Sequence, residues 1–255
     1  MAEDNVVNQT VTVRMLEYLG YRVDIVANGA DAVDAAMREQ YAALLMDCQM
    51  PIMDGFEATA EIRRREGDGR HLPVIALTAA AMEGDNERCL SAGMDGYLTK
   101  PVKSADLARM LEFWLTGEPL TPQASNEQSA GGAVDPAVIA DLRQLSDSTG
   151  GDLLRSLVGQ FATNTAEGLA TMRNVVIAGE MGQVAAVAHG IKGSSGNVGA
   201  RTMAEMCAAL ESAAKEGNAA RASDLLDALE REFERVRAAL DMEVSAAAGT
   251  APIGA

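Results

Sequence analysis

YAALLMD, residues 41–47, decides the reading of the first half of this chain: a short, almost unbroken apolar run that ends on a carboxylate. A run of that length and composition fits a buried strand better than a helix. RVDIVAN (22–28), LPVIALT (72–78) and GYLTKPV (96–102) share its character, and helix-patterned stretches separate all four. Strands that alternate with helices build a parallel sheet covered by helices. In an open sheet of that kind ligands bind outside the carboxyl ends of the strands, so the polar residues that end these runs are candidates for chemistry.

Three of them stand out: Asp47 ends YAALLMD, Thr78 ends LPVIALT, and Lys100 sits in the last run before Pro101. Taken singly, each reads as a turn residue, a cap or a solvated charge. Taken together, a carboxylate, a hydroxyl and an ammonium at one sheet edge supply a nucleophile, a hydrogen-bond donor to phosphoryl oxygen and a charge clamp. Glu3 and Asp4, in MAEDN at the start, add two carboxylates that face Asp47 if a strand precedes them. Clustered carboxylates repel unless a hard cation sits among them, and Mg²⁺, which takes oxygen ligands and keeps some waters, suits such a cluster.

From Thr116 to Asp135 the sequence TGEPLTPQASNEQSAGGAVD has the Pro, Gly, Ser, Gln and Asn content of a flexible linker. Beyond it the pattern is helical, opening with Asp135 as an N-cap before Pro136 and continuing to about Met242, as in a helix bundle. The closing AAAGTAPIGA reads as a disordered tail. Two domains suit a length of 255 residues, and a net charge of −16 excludes general nucleic-acid binding, which needs clustered Lys and Arg. Cys48, Cys89 and Cys207 lack metal-ligand spacing and fit buried, reduced thiols in a cytoplasmic protein. Neither a signal peptide nor a membrane-spanning run is visible.

In the helical half, AHGIKGSSGNVGA (188–200) surrounds His189 with glycines. On a helix, Val184, Val187, Ile191 and Val198 form an apolar stripe, with His189 opposite it among Gly182, Ala185, Gly193 and Gly196. Each interior Gly costs roughly 1 kcal/mol relative to Ala, which suggests a surface trimmed for close approach by another protein. Glycine-rich sequence also marks loops and helix ends, and a lone His is commonly an ordinary surface residue. Lys192, one turn beyond His189, favours phosphate chemistry, because an ammonium there can pair with a phosphoryl group on the imidazole, itself a competent nucleophile near neutral pH. No second His or suitable Cys stands at zinc-ligand spacing. His71, in a polar loop before Leu72-Pro73, receives no role.

AEDN, MDCQMPIMDG, ALTA and GYLTKP, in this order and spacing, resemble the receiver domain of two-component response regulators, and AHGIKGSSGNVGA resembles the signature of the histidine-containing phosphotransfer (HPt) domain. The resemblance implies a flavodoxin-like, doubly wound parallel α/β sheet for a receiver over 1–117, a linker over 118–133, an all-α HPt bundle over 134–242 and a tail over 243–255. It further implies Asp47 and His189 as phosphoacceptors, with Glu3, Asp4, Asp47 and the Gln49 carbonyl holding Mg²⁺. Thr78 and Lys100 are then the phosphoryl partners, Tyr97 the aromatic switch, and Lys192 the helper of His189.

One departure concerns the first strand, which the family places at the centre of the sheet: only Met1 and Ala2 precede Glu3, so the expectation is a truncated strand and a chain that is the C-terminal part of a hybrid sensor histidine kinase. The sheet is then expected to lose its middle. The partners implied are an upstream histidine kinase domain and a downstream receiver, without nucleic acid or direct membrane contact, in a cytoplasmic segment whose parent can be membrane-anchored. Nothing in the sequence resembles an ATP site, so kinase activity is not assigned to this chain. An alternative is a receiver that acts as an allosteric switch on docking of the helical half without transfer through His189. A haloacid-dehalogenase-type hydrolase requires a second Asp two residues after the nucleophile, where this chain has Gln49.

Overall fold

Helices and short strands build the first half, three of the four apolar runs forming strands. In a computed structural model that describes residues 1–67, 71–78, 88–116, 132–149 and 152–248, they are α1 (Val6–Tyr18), α2 (Gly29–Arg38), β1 (Leu44–Asp47), α3 (Gly55–Arg65), β2 (Val74–Thr78), β3 (Gly96–Thr99) and α4 (Ser104–Thr116). The strands pair in parallel in the order β1-β2-β3, with Asp47 opposite Leu77 and Thr78 opposite Thr99. All four residues of β1 and all five of β2 are buried, as expected of a sheet covered on both faces.

The middle of the sheet survives in shortened form, which corrects the expectation that it is lost. Ala2 bridges in parallel to Met46 on one side and Val26 on the other. Ala2 N–H donates to Leu45 O at 2.8 Å and Asp47 N–H to Ala2 O at 2.9 Å, while Glu3 N–H donates to Val26 O and Val26 N–H to Met1 O, both at 3.0 Å. Three residues thus do the work of a strand and satisfy the buried backbone groups on both flanks. The same brevity explains a second correction: residues 22–28 contribute only the single bridge at Val26 and no strand, because their neighbour is too short to extend a ladder.

One glycine position shows why local sequence matters at the site. A β-carbon on Gly55, the first residue of α3, meets the Asp47 carbonyl oxygen at 2.1 Å, so only glycine lets α3 start against the end of β1. Asp54 caps the same helix and completes a capping box with Glu57. At the opposite end of the sheet, the Arg63 guanidinium donates to the carbonyls of Gly93 and Leu72 at 2.8 and 3.0 Å and meets Asp95 at 2.6 Å. That clasp fixes the starts of β2 and β3 away from the site.

The chain divides into two compact units. The second consists of α5 (Pro136–Thr149), α6 (Leu153–Ala178), α7 (Met181–Asn197), α8 (Arg201–Lys215) and α9 (Ala219–Ala248). Short connections make successive helices antiparallel neighbours, and α6 to α9 close on one another as a four-helix bundle. Its core holds Phe161, Met172, Val184, Ile191, Met203, Leu210 and Phe233, with the two rings edge to face at 6.2 Å. Asp135 begins α5 as anticipated, its carboxylate accepting from Ala137 N–H at 2.9 Å. Gly199, with φ of +76°, turns the chain between α7 and α8, and its carbonyl accepts from Asp135 N–H at 2.9 Å.

The bundle does not stop at Met242. The last helix continues to Ala248, where Arg143 of α5 reaches the Glu243 carboxylate at 2.6 Å and its carbonyl at 3.1 Å. The anticipated tail over 243–255 is therefore helical in its first residues, and its remainder, like residues 118–131 of the anticipated linker, lies outside the described residues. Among the described residues no helix is long and apolar enough to cross a membrane.

Candidate functional site

The first unit brings its titratable residues to the carboxyl edge of the sheet. Asp47 and Thr78 end adjacent strands and Lys100 follows the third, its backbone N–H donating to Thr78 O at 2.7 Å. The Lys100 ammonium stands 2.7 Å from Asp47 Oδ2 and 2.7 Å from Glu3 Oε2, a bridge between two buried carboxylates. Glu3, Asp47 and Thr78 are all buried, whereas Asp4 is exposed at the rim. The Gln49 N–H donates to Asp47 Oδ1 at 3.2 Å. Tyr97, on β3, is 39 % exposed and turned toward solvent.

Two carboxylates and one ammonium leave a net negative charge in a poorly hydrated place. Burial pushes the Glu3 carboxyl up to about 7; Lys100 opposes that shift and the Asp47 charge adds to it. Burial pulls Lys100 down, but Asp47 and Glu3 outweigh it and hold the ammonium above its ordinary range. Carboxylate oxygens of Glu3, Asp4 and Asp47 lie within 4.8 Å of one another. Oxygens opposite each other around Mg²⁺ are separated by about 4.2 Å, and the ion retains waters, so this donor set fits a hydrated Mg²⁺.

One residue here escaped the sequence reading. Asn8, buried in the first turn of α1, donates from Nδ2 to Glu3 Oε1 at 2.7 Å. Its signal was a polar residue on the face of α1 that otherwise buries Val7, Val11 and Met15.

In the second unit, the glycines at 190, 193 and 196 lie inside α7 rather than in a loop. Val184, Ile191 and Val198 are buried as the periodicity requires and Val187 is half-buried, while Gly182 is exposed and Ala185, Gly193 and Gly196 are half-exposed. Ser194 and Ser195 also turn inward, where their hydroxyls donate back to the Ile191 carbonyl at 3.1 and 2.7 Å. His189 retains 20 % exposure of its side chain and Lys192 retains 22 %, so the imidazole is more sheltered than a freely protruding residue.

Beside the imidazole stands Glu211 of α8, a carboxylate on the buried stripe of that helix with Met203, Cys207 and Leu210. His189 Nδ1, itself buried, lies 3.5 Å from Glu211 Oε2, at the outer limit of hydrogen-bond reach. Lys192 approaches the same oxygen at 3.4 Å, and Lys215 holds Oε1 at 2.6 Å. His189 first, and then the two lysines, keep the Glu211 carboxyl far below the usual carboxylate range despite its burial. With its proton on Nδ1, facing the carboxylate, the imidazole would keep the lone pair of Nε2 for chemistry.

His71 meets Asp95 at 2.5 Å while remaining 56 % exposed, at the end of the sheet away from Asp47. The three cysteines are buried, and none forms a disulfide.

Residues 1–112 match the family model of the response regulator receiver domain, and residues 156–239 match that of the Hpt domain. Among curated proteins the chain is similar to hybrid signal transduction histidine kinase B of Dictyostelium discoideum, with 40 % identity across 42 % of this chain and 6 % of that protein. It is also similar to sensor protein GacS of Pseudomonas syringae, with 40 % identity across 50 % of this chain and 14 % of the relative. The chain thus spans a small part of the length of these relatives. Among solved structures it is similar to the receiver domain of a Pseudomonas aeruginosa sensor histidine kinase determined with a coordinated magnesium ion, at 56 % identity, covering 45 % of this chain and 93 % of that one with a TM-score of 0.42. Histidine-containing phosphotransfer protein B of the same organism is 29 % identical over 46 % of this chain and 97 % of that one, TM-score 0.42.

Proposed function

We propose that this chain, which belongs to the response regulator receiver domain family over residues 1–112 and to the Hpt domain family over residues 156–239, carries two successive phosphoacceptors of a phosphorelay. Asp47 accepts a phosphoryl group from the phosphohistidine of an upstream histidine kinase, and His189 accepts one from an aspartyl phosphate and passes it to the receiver of a separate response regulator. The observation that carries this reading is the Lys100 ammonium fixed 2.7 Å from the Asp47 carboxylate at the open edge of the sheet.

In the first step an Asp47 oxygen attacks phosphorus while the donor's P–N bond breaks and its imidazole leaves with the bond's electron pair. Lys100 balances charge on the transferring group, Thr78 donates a hydrogen bond to a phosphoryl oxygen, and the Gln49 N–H orients the Asp47 carboxylate. Engagement of Thr78 gives Tyr97 room to turn inward as the switch. Glu3, Asp4, Asp47 and the Gln49 carbonyl would hold Mg²⁺, which would supply positive charge to offset that of the transferring group. In the second step the Nε2 lone pair of His189 attacks the acyl phosphorus, the P–O bond breaks, and the carboxylate is regenerated. Glu211 keeps the proton on Nδ1 and stabilises the positive charge that develops on the ring, and Lys192 faces the incoming group.

The test is transfer of ³²P from a phosphorylated kinase to the wild-type chain, Asp47→Ala and His189→Gln, in Mg²⁺. Acid-labile and alkali-labile label distinguish phosphohistidine from aspartyl phosphate. Label on both residues supports the relay. Label on Asp47 alone, with signalling undisturbed in His189→Gln, replaces it with the allosteric switch.

A further inference from the structure

Glu3 is the most enclosed carboxylate of the site, its side chain 1 % exposed, and both of its oxygens are engaged. Oε2 takes the Lys100 ammonium at 2.7 Å. Oε1 takes the Asn8 amide at 2.7 Å and the Asn5 N–H at 3.3 Å. Gln9, next along α1, donates to the Glu3 carbonyl at 2.6 Å, so the first turn of the helix grips main chain and side chain together. The two oxygens therefore differ: one is held by neutral dipoles, the other by a cation shared with Asp47.

We propose that Asn8 is a positioning residue for divalent cation binding: it pins Glu3 Oε1 and leaves Oε2 as the oxygen exchanged between Lys100 and the ion. This rests on the reading of Glu3, Asp4 and Asp47 as the Mg²⁺ site. A neutral amide suits the task, because it fixes the carboxylate without lowering the negative charge that attracts the ion, whereas a second Lys or Arg would compete with it. Without that anchor the carboxylate turns both oxygens onto Lys100, and the ion must break a tighter pair.

The experiment titrates Mg²⁺ calorimetrically into the full chain and into Asn8→Ala, Asn8→Leu and Asn8→Gln, with thermal unfolding of each in EDTA. Loss of a partner that orients a metal ligand weakens metal affinity by about 10-fold or more, which is expected for Asn8→Ala and for the near-isosteric Asn8→Leu. Asn8→Gln, which keeps an amide donor, is expected to recover part of that loss. A purely structural role gives the opposite pattern, a lower melting temperature in EDTA with the Mg²⁺ dissociation constant of the folded protein unchanged, and that result overturns the proposal. Asp4→Ala serves as the control. If it binds Mg²⁺ like the wild type, the site itself is misassigned; if it loses binding while the Asn8 variants keep theirs, only the role of Asn8 falls.

Discussion

Replacing Glu211 tests whether the helical unit prepares its histidine electrostatically. A unit charge 3.5 Å from Nδ1 interacts with a full positive charge on the ring by about 5 kcal/mol at an effective dielectric constant of about 20. That figure is a ceiling, since Lys192 at 3.4 Å and Lys215 at 2.6 Å already neutralise much of the carboxylate. A net loss of about 1.5 kcal/mol in transition-state stabilisation is the reasonable expectation for Glu211→Gln, which keeps an acceptor and removes the charge, and it corresponds to about 10-fold slower transfer. Glu211→Ala removes the acceptor too, so that either ring nitrogen can carry the proton, and should be slower still. Rapid-quench measurement of ³²P transfer from a phosphorylated receiver to each variant reads the rate directly. A Glu211→Gln rate within twofold of wild type, with His189→Gln inactive in the same assay, would refute the reasoning.

Three further outcomes follow from the first unit and the thiols. Gly55→Ala drives a methyl group into the Asp47 carbonyl and is expected to destabilise the receiver unit by about 2 to 3 kcal/mol, measured by urea unfolding. In EDTA, stability should fall as pH rises from the ordinary carboxyl range toward 7, because the folded state holds a proton on Glu3 up to about 7 that the unfolded chain has already released. The full effect is of order 3 kcal/mol, and Glu3→Gln should flatten the profile of unfolding midpoint against pH. Burial pushes Cys207 up to about 12 and Cys48 higher, so neither should react appreciably with a thiol-specific disulfide reagent until the protein is unfolded, when the ordinary reactivity of a thiol returns.

The sequence carried the strand-ending residues clearly because β1 and β2 are buried on both faces and must be apolar until they emerge at a functional edge. The helical placement of His189 was legible for a similar reason, since the stripe through Val184 and Ile191 has only one way to face a core. Pairing was harder to read. Residues 22–28 carry a strand's composition, but a strand also needs a neighbour, and Met1–Glu3 offers only three residues. Asn8 and Glu211 were missed because their importance lies in contacts made across elements, Asn8 reaching from α1 to Glu3 and Glu211 from α8 to α7. The continuation of α9 past Met242 is not legible because alanine-rich sequence permits either helix or coil, and the contact that Glu243 makes there is with Arg143, 100 residues away.

Glu211 has a separate lysine on each oxygen, and this arrangement bears on reversibility. If His189 carries the phosphoryl group as proposed, Lys192 can turn toward it while Lys215 still holds the other side of the carboxylate, and no buried anion is stranded. On the proposed relay, such division of labour would limit the electrostatic cost of loading the histidine, a condition that favours a carrier able to run in either direction.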